Sequence, residues 1–504
     1  VIRQLEPDDW ADWRLLRQRS LREDPAAFSS STVMWTGDAD TEDRWRSRIA
    51  DGPCFVAYDD GVPVGMAAGD VEGDRVALIS MWVAPEARRQ GIGRGLIAAV
   101  VRWAAGRELS LRVIDGNTPA ITAYEAAGFV LQDGVDHEGC RHMVRPRVPY
   151  RLVRSADLRF ATTFLGRFRQ VGLRGVLSDL NRTASHTDVP AEAAAYGMAW
   201  QHDDQTTERW FPQGITTSAD AYGPEPTGGM FEGHDVVLAS WYGKGRLGRR
   251  LGSRLSVIDW HDDQPPRYRH VLLVEPRRRW GFLWLRRVKI HAGGIVWYGD
   301  HLFVAGSSSG IRVFRLDDLV RVGNRLRAAG YRYVLPQLTV YAAEHDSGAG
   351  PLTYSFMSLD RAGTDDHLVA GEYGRKGGSH RLISYAIDRG TGLLRSDDRG
   401  TSVATEMHDR QVARMQGAVV ADGRWVVTSS NGEGLPGDLW VGSPGAFTRH
   451  RGVLPTGPED ITYLPQRRQL WSLTEWPGRR WVYAIEADRW FDQTRSTDTT
   501  QESP

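Results

Sequence analysis

The sequence predicts an α/β domain followed by an all-β domain, and three observations carry that reading. Up to about Arg145, helix-period and strand-period patterns alternate, whereas beyond about residue 205 short strands and turns dominate. The period changes once, at the proline-containing stretch Arg145-Pro146-Arg147-Val148-Pro149 ahead of Tyr150. A chain of 504 residues also suits two domains when one of them is a large β-rich unit. These changes set an α/β domain at 1–146, a linker and capping segment at 147–204, an all-β domain at 205–490 and a disordered polar tail at 491–504.

In the α/β part, residues 8–22 read as a helix with Asp8 or Asp9 as N-cap, and residues 40–50 as a second. Strands at 54–59 and 64–71 flank Asp60-Gly61, a dipeptide that tolerates the left-handed backbone of a tight hairpin. A third strand, 76–83, stops before Pro85. Residues 92–105 are apolar at 92, 96, 97, 100, 101 and 104, the spacing of one helix face. A strand at 109–114, a helix at 118–127 and a last strand from Phe129 complete the set. Beyond the prolines, residues 160–180 are basic and partly amphipathic, but Gly166, Gly172 and Gly175 interrupt them, so they read as linker or cap rather than a membrane-surface helix.

The informative segment is Ile79-Ser-Met-Trp-Val-Ala-Pro-Glu-Ala-Arg-Arg-Gln-Gly-Ile-Gly-Arg-Gly-Leu96, a strand, a glycine-rich turn and a helix. Gly91 and Gly93 let the backbone curl close to a phosphate, and amides at the start of the following helix point at it with a favourable dipole. Arg88, Arg89 and Arg94 flank the turn. Further on stands Asn117-Thr-Pro-Ala-Ile-Thr-Ala-Tyr124-Glu-Ala-Ala-Gly128-Phe129. Arg88-x-x-Gly91-x-Gly93 resembles the coenzyme-A pyrophosphate motif of the GNAT (Gcn5-related) N-acetyltransferases, and the second stretch is similar to that family's other hallmark, an Asn, then Ala, Tyr and Gly-Phe. The resemblance covers residues 1–146.

It implies acetyl-CoA as cofactor and transfer of its acetyl group to a primary amine, on a small molecule or a protein N-terminus. Met81, Trp82 and Val83 would splay from the neighbouring strand and offer backbone groups to the pantetheine arm and thioester carbonyl. The amides of Gln90, Gly91, Ile92, Gly93 and Arg94 would hold the pyrophosphate, Asn117 would contact the cofactor arm, and Tyr124 would act as general acid near the sulfur. Many family members place a carboxylate base on or near the central strand, yet residues 76–83 contain none. Glu42, Asp70 and Glu72 are the nearest by chain position, with a water relay as the alternative.

From Gln213 onward a small or glycine-containing start leads repeatedly into apolar strands. The openings are Gln213-Gly-Ile-Thr, His291-Ala-Gly-Gly-Ile-Val, Met415-Gln-Gly-Ala-Val-Val and Pro458-Glu-Asp-Ile-Thr-Tyr, with residues 355–360 as a fifth. Five degenerate repeats predict a five-bladed β-propeller, with six blades as the alternative. In architecture the segment resembles uncharacterised actinobacterial β-propeller proteins. Gln213, His291, Gln416, Glu459 and Asp460 open the repeats and are expected to line a central channel, facing its water. Ligand spacing for a metal is lacking, so none is expected.

Composition bounds the partners. The net charge is zero. Residues 1–146 carry 17 Arg and no Lys against 23 Asp and Glu, a modest acidic surplus that the remainder balances. Lys244, Lys289 and Lys376 are the only lysines, so the Arg bias is chain-wide and its clusters do not indicate nucleic acid. Cys54 and Cys140 cannot supply a disulfide framework and read as buried thiols. Residues 1–10 are polar and nowhere do 18 uncharged apolar residues follow one another, so the expectation is a cytoplasmic protein with no membrane partner. Together these readings give an N-acetyltransferase whose propeller binds a substrate, a protein or another ligand. The alternative is a propeller that is a hydrolase, lactonase-like or a pure binding module beside a secondary or inactive first domain.

Overall fold

The computed structural model describes residues 1–28, 35–73, 75–155, 169–223, 228–245, 249–279, 282–323, 328–363, 365–375 and 378–491. The chain divides into one unit of Val1–Pro149 with Val403–Glu406, and a second of Tyr150–Ser402 with the chain from Met407 onward.

The first unit is built on a seven-stranded sheet. Its strands are β1 (Ile2–Gln4), β2 (Cys54–Asp59), β3 (Val62–Glu72), β4 (Arg75–Val83), β5 (Glu108–Ile114), β6 (Val130–Leu131) and β7 (Cys140–Arg145), in the order β1-β2-β3-β4-β5-β7-β6. Only β4 and β5 run parallel. Such a pair needs a crossover, which α3 (Ile92–Trp103) supplies. Its Leu96, Ile97, Val100 and Val101 are buried, as the apolar spacing requires. The β2–β3 hairpin turns at Asp60 and Gly61, with φ of 45° and 81°. Helices α1 (Trp10–Glu23) and α2 (Glu42–Asp51) add Trp13 and Trp45 to the same core, both with under 2 % of their surface exposed. Burying a side chain of this size contributes about 3 kcal/mol. The helix expected from residue 8 begins at Trp10, because Pro7–Asp9 forms a separate 3-10 turn. Cys54 and Cys140 are buried thiols.

The second unit holds only short helices among the described residues, Gly172–Leu177, His202–Thr206 and Ser218–Tyr222 the α-helical ones, and is organised by five inner strands: Trp210–Thr217, Ile295–Tyr298, Phe356–Asp360, Met415–Ala421 and Pro458–Leu464. From each, antiparallel partners run outward. The outward runs from the first two inner strands join where Leu272–Val274 pairs in parallel with Val334–Pro336. Each inner strand touches the next. A Cβ at Gly214 would lie 2.9 Å from the Ile295 amide, one at Gly294 would lie 2.1 Å from the Met357 amide, and one at Gly417 would lie 2.7 Å from the Ile461 amide. Ser358 Oγ donates to the Ala418 carbonyl at 2.5 Å, and the Ile215 amide donates to Asp460 Oδ2 at 3.2 Å, which returns the circuit to its start. Glycine opens several repeats because two backbones approach there too closely for a side chain.

The stretch 147–204, expected as linker and cap, contributes strands. Tyr150–Arg154 pairs with Tyr333–His345, and Tyr196–Ala199 pairs with Trp481–Glu486 and is itself flanked by Ser185–Thr187. An outermost strand leaves a row of unpaired amides and carbonyls, and an early segment of the chain covers that edge. Residues 156–168, part of the basic stretch, and residues 492–504, nearly all of the expected tail, lie outside the described residues. Among the described residues no helix is long and apolar enough to cross a membrane.

Candidate functional site

The glycine-rich turn joins β4 to α3. Arg89 and Gly91 both take positive φ, 64° and 82°, so the chain coils tightly before α3 begins with Gly91 as its N-cap. The first intrahelical bond is the Gly95 amide to the Gly91 carbonyl at 3.0 Å. The amides of Gln90, Gly91, Ile92, Gly93 and Arg94 meet no acceptor among the described residues. Five unsatisfied donors at the positive end of a helix dipole form a cradle for an anion. A Cβ at Gly91 would meet nothing within 4 Å, so the cradle is open, while one at Gly93 would press on Met81 Cε at 3.3 Å. Arg89 and Arg94 are exposed beside it and have no acidic partner among the described residues. Arg88 is committed elsewhere: its guanidinium donates to the Val83 carbonyl at 2.9 Å and to Asp24 at 2.5 Å. Asp24 also accepts from the buried Trp82 Nε1 at 2.7 Å. Burial pushes the Asp24 carboxyl up, but the bonds from Trp82 and Arg88 outweigh it and hold the group below the usual range.

Beside the cradle, β4 parts from β5. The parallel pairing covers only Arg75, Val76 and Ala77 against Glu108, Leu109 and Ser110, while β4 stays on β3 as far as Val83. The edge of Leu78–Val83 that faces β5 therefore has no ladder partner among the described residues. Between Ile79 and Trp82 the register shifts, so that Ser80 and Met81 both oppose Ala67, and Ser80 takes φ of 54°. This is a β-bulge, which turns backbone groups out of the ladder and twists the strand away. Met81 and Val83 are half-buried next to it.

Helix α4 (Thr118–Ala126) carries the second motif. Asn117 is its N-cap, with Oδ1 accepting from the Ala120 amide at 3.3 Å, and Pro119 lies in the first turn, where its missing N–H costs nothing. Asn117 thus has a structural task whatever else its amide does. Tyr124 is buried, edge-on to Phe129 at 5.9 Å, and its hydroxyl meets no partner among the described residues. Burial pushes this phenol up to about 12. The three carboxylates nearest by chain position are not brought here. Asp70 and Glu72 are exposed and pair with Ala77 and Arg75, about 10 Å and 17 Å along the strand from Ser80 at about 3.3 Å per residue. Glu42 is exposed on α2 and bonded to Arg46 at 2.7 Å.

A second group of polar side chains gathers in the other unit, at the starts of its inner strands. Gln213 donates to Glu475 at 3.3 Å, Gln416 donates to Glu459 at 3.1 Å, and the two glutamates share a hydrogen bond. His291 lies with its ring 4.2 Å from that of Tyr242, on the strand Asp235–Lys244. Asp460, expected with them at channel water, is instead wholly buried. Consecutive strand residues face opposite ways, and its Oδ2 accepts the amides of Ile215 and Ile295 at 3.2 and 3.3 Å. Glu475 and Tyr242 carry no repeat-opening signal and were not singled out from sequence. Among the described residues no group of three or more His, Cys, Asp or Glu side chains is placed to hold a metal ion.

Residues 13–129 match the model of the Acetyltransferase (GNAT) family. Two curated relatives are aminoglycoside N(6')-acetyltransferases type 1, from Salmonella enteritidis and Salmonella typhimurium. Each is 28 % identical over 149 residues, which is 25 % of this chain and 90 % of the relative. Among solved structures, the PaiA N-acetyltransferase of Thermoplasma acidophilum in complex with coenzyme A aligns at 19 % identity and a TM-score of 0.26. It covers 29 % of this chain and 98 % of its own. The ribosomal-protein-S18-alanine N-acetyltransferase of Escherichia coli aligns at 24 % identity and a TM-score of 0.23, covering 29 % and 93 %. The β4–α3 cradle, the bulged β4 and Tyr124 all fall inside the matched segment, and residues 13–129 are a GNAT acetyltransferase domain.

Proposed function

We propose that the first unit binds acetyl-CoA and transfers its acetyl group to a primary amine, and that the second is a five-bladed β-propeller serving it as a binding module. The observation that carries the first part is the set of unsatisfied amides from Gln90 to Arg94 over open space at Gly91. A diphosphate needs many donors and little side-chain bulk, which is what this turn offers. When bound, acetyl-CoA supplies an activated acetyl thioester. The free edge of Leu78–Val83 and the bulge at Ser80 present backbone amides toward developing negative charge on a carbonyl oxygen. Tyr124 holds a proton at Oη throughout the neutral range and delivers it to a departing sulfur. With Asp70 and Glu72 far along the sheet, the proton lost by the amine passes to water rather than to a carboxylate base. Arg88 acts through Asp24 and Trp82, fixing the end of β4.

For the second unit, the support is the circuit of five inner strands, each opening a run of antiparallel partners, with the edge of the last run covered by Tyr196–Ala199. For the acceptor, the curated relatives make aminoglycosides one class to test, and the alanine N-terminus named for a structural neighbour makes peptides another. The test is calorimetry of the full chain with acetyl-CoA, followed by thiol release with an aminoglycoside, a polyamine and an alanine-terminated peptide. One-site binding and amine-dependent thiol release are expected. Absence of acetyl-CoA binding overturns the reading.

A further inference from the structure

The polar group at the starts of the inner strands has features that packing does not account for. Tyr242 is 93 % buried, yet its hydroxyl has no hydrogen-bond partner among the described residues, and the charges that act on it are chiefly those of Glu475 and Glu459. The His291 imidazole, half-buried against the Tyr242 ring, likewise makes no hydrogen bond to a described residue. Neither the hydroxyl nor the imidazole nitrogens are among the polar atoms sealed from solvent without a partner, so both meet solvent and stand open to a ligand. The group is also open to solvent on one side: Lys244 is exposed and Glu475, His291 and Gln416 are half-buried, while Gln213 and Glu459 form the floor.

We propose that this mouth binds a neutral, polyhydroxylated small molecule, a saccharide or polyol. Its walls are the planar amides of Gln213 and Gln416 and the carboxyls of Glu459 and Glu475, each able to engage neighbouring hydroxyls, with a phenol and an imidazole free to donate or accept. The Tyr242 and Phe211 rings are buried and stacked 5.4 Å apart, and the Lys244 ammonium lies 5.1 and 4.4 Å from their centroids. Charge selects against ions. Burial and the neighbouring carboxyl raise Glu459 well above the usual range, and burial raises Glu475 although Lys244 and Gln213 oppose it. Burial, with Arg250 and Lys244, lowers His291 to about 4 and keeps it neutral. Arg480, a buried cation beside Glu475, donates through Nε and Nη1 to the carbonyls of Glu475 and Asp204 at 2.7 and 2.8 Å, while its Nη2 has no partner among the described residues. An anion would thus face carboxyl oxygens at the floor, and an amine would pass Lys244 at the rim.

The experiment is saturation-transfer NMR on the full-length protein. The neutral probes are the methyl glycosides of glucose, galactose and mannose, N-acetylglucosamine and myo-inositol, with citrate and spermidine as charged probes. Transfer to at least one neutral probe is expected, reduced at least fivefold in both Gln416→Leu and His291→Phe while acetyl-CoA binding is unchanged, which separates this site from acetyl transfer. Transfer to no neutral probe, transfer to citrate or spermidine alone, or transfer that both variants retain overturns the proposal. A second readout needs no ligand. Tyr242→Phe removes a hydroxyl that the protein does not use and is expected to leave the melting temperature unchanged or higher; a fall of several degrees would show an internal partner and also overturn it.

Discussion

The two units put their polar chemistry in opposite places. In the first, the groups we propose to work are backbone amides of one turn and one bulged strand, those of the turn displayed toward open space at Gly91. In the second, polar side chains from segments far apart in sequence are drawn together by the inner strands and are mostly buried. Gln213 and Glu475 are separated by 262 positions, and Ile215 and Asp460 by 245. A backbone site is encoded locally, by glycines and helix starts, and tolerates drift in its surroundings. A side-chain site sunk in a core is tied to stability, because each buried polar group that loses its partner costs free energy. Substitutions in the first unit therefore test binding and turnover, and those at wholly buried polar groups of the second test the fold.

The largest effect is expected at Asp204. This buried carboxylate accepts from Arg254 Nη2 at 2.9 Å and from the Tyr268 hydroxyl at 2.7 Å, and lies 2.9 Å from His270 Nε2. Burial opposes its ionisation, but His270, Arg254 and Tyr268 hold it far below the usual range. Asp204→Ala leaves Arg254 buried without its partner and is expected to cost about 3–5 kcal/mol. Thermal unfolding of the second unit should record the loss while acetyl-CoA binding persists; loss of that binding as well would break the comparison. The wild type should weaken in acid for the same reason. His270 is lowered to about 3, chiefly by burial and also by Arg254, from an ordinary 6.5. Its unfolded form therefore takes up a proton first, and stability drains as pH falls from 6.5 toward 3, joined by Asp204 below 3.8.

The next effect should appear in binding and not in melting. Gly91→Glu places a carboxylate in the open cradle, where like-charge repulsion with a phosphate is worth several kcal/mol. Acetyl-CoA affinity is expected to drop by more than about a hundredfold. Gly91→Ala is the companion: its Cβ meets nothing within 4 Å, so it carries only the strain of φ 82°. That strain is about 1 kcal/mol. Calorimetry in which Gly91→Glu still binds as the wild type does would remove the phosphate assignment.

Legibility followed the same division. The glycine turn, the α3 face and the Asp60-Gly61 hairpin are local patterns and are found where the sequence places them. The short strand Ile2–Gln4, the strand Cys140–Arg145 and the sheet strands within 147–204 were not anticipated. Their residues alternate weakly, and partners distant in sequence decide their pairing. Asp24 sits 64 positions before the Arg88 that it holds, in a stretch without a motif. Glu475 and Tyr242 close strands rather than open them, so only the folded sheets reveal that they face Glu459 and His291.

Tyr124→Phe comes third. The phenol touches Phe129 and nothing polar, so its loss should leave folding and acetyl-CoA affinity intact while turnover falls by about a hundredfold. Because burial sets the group at about 12, wild-type turnover should show no alkaline decline from this proton until pH approaches that value. Steady-state rates from pH 7 to 10 that fall in step with an ordinary phenol near 10 would reassign the acid.

The smallest effect should follow removal of the acidic residues nearest by chain position. Asp70 and Glu72 project from the part of β3 opposite Ala77 and Arg75, before β4 and β5 separate, and Glu42 engages Arg46 on an exposed helix. Their replacement by Ala should leave kcat within about twofold. Melting should shift by only a few tenths of a kcal/mol, the scale of an exposed ion pair. The outcome bears on mechanism. If one of these variants lost turnover by orders of magnitude with acetyl-CoA affinity preserved, a carboxylate would be receiving the amine proton, and the first unit would depend on a side chain placed by the sheet. If all three turn over normally, the proton leaves through water, and apart from Tyr124 acetyl transfer rests on the backbone of one strand and one turn.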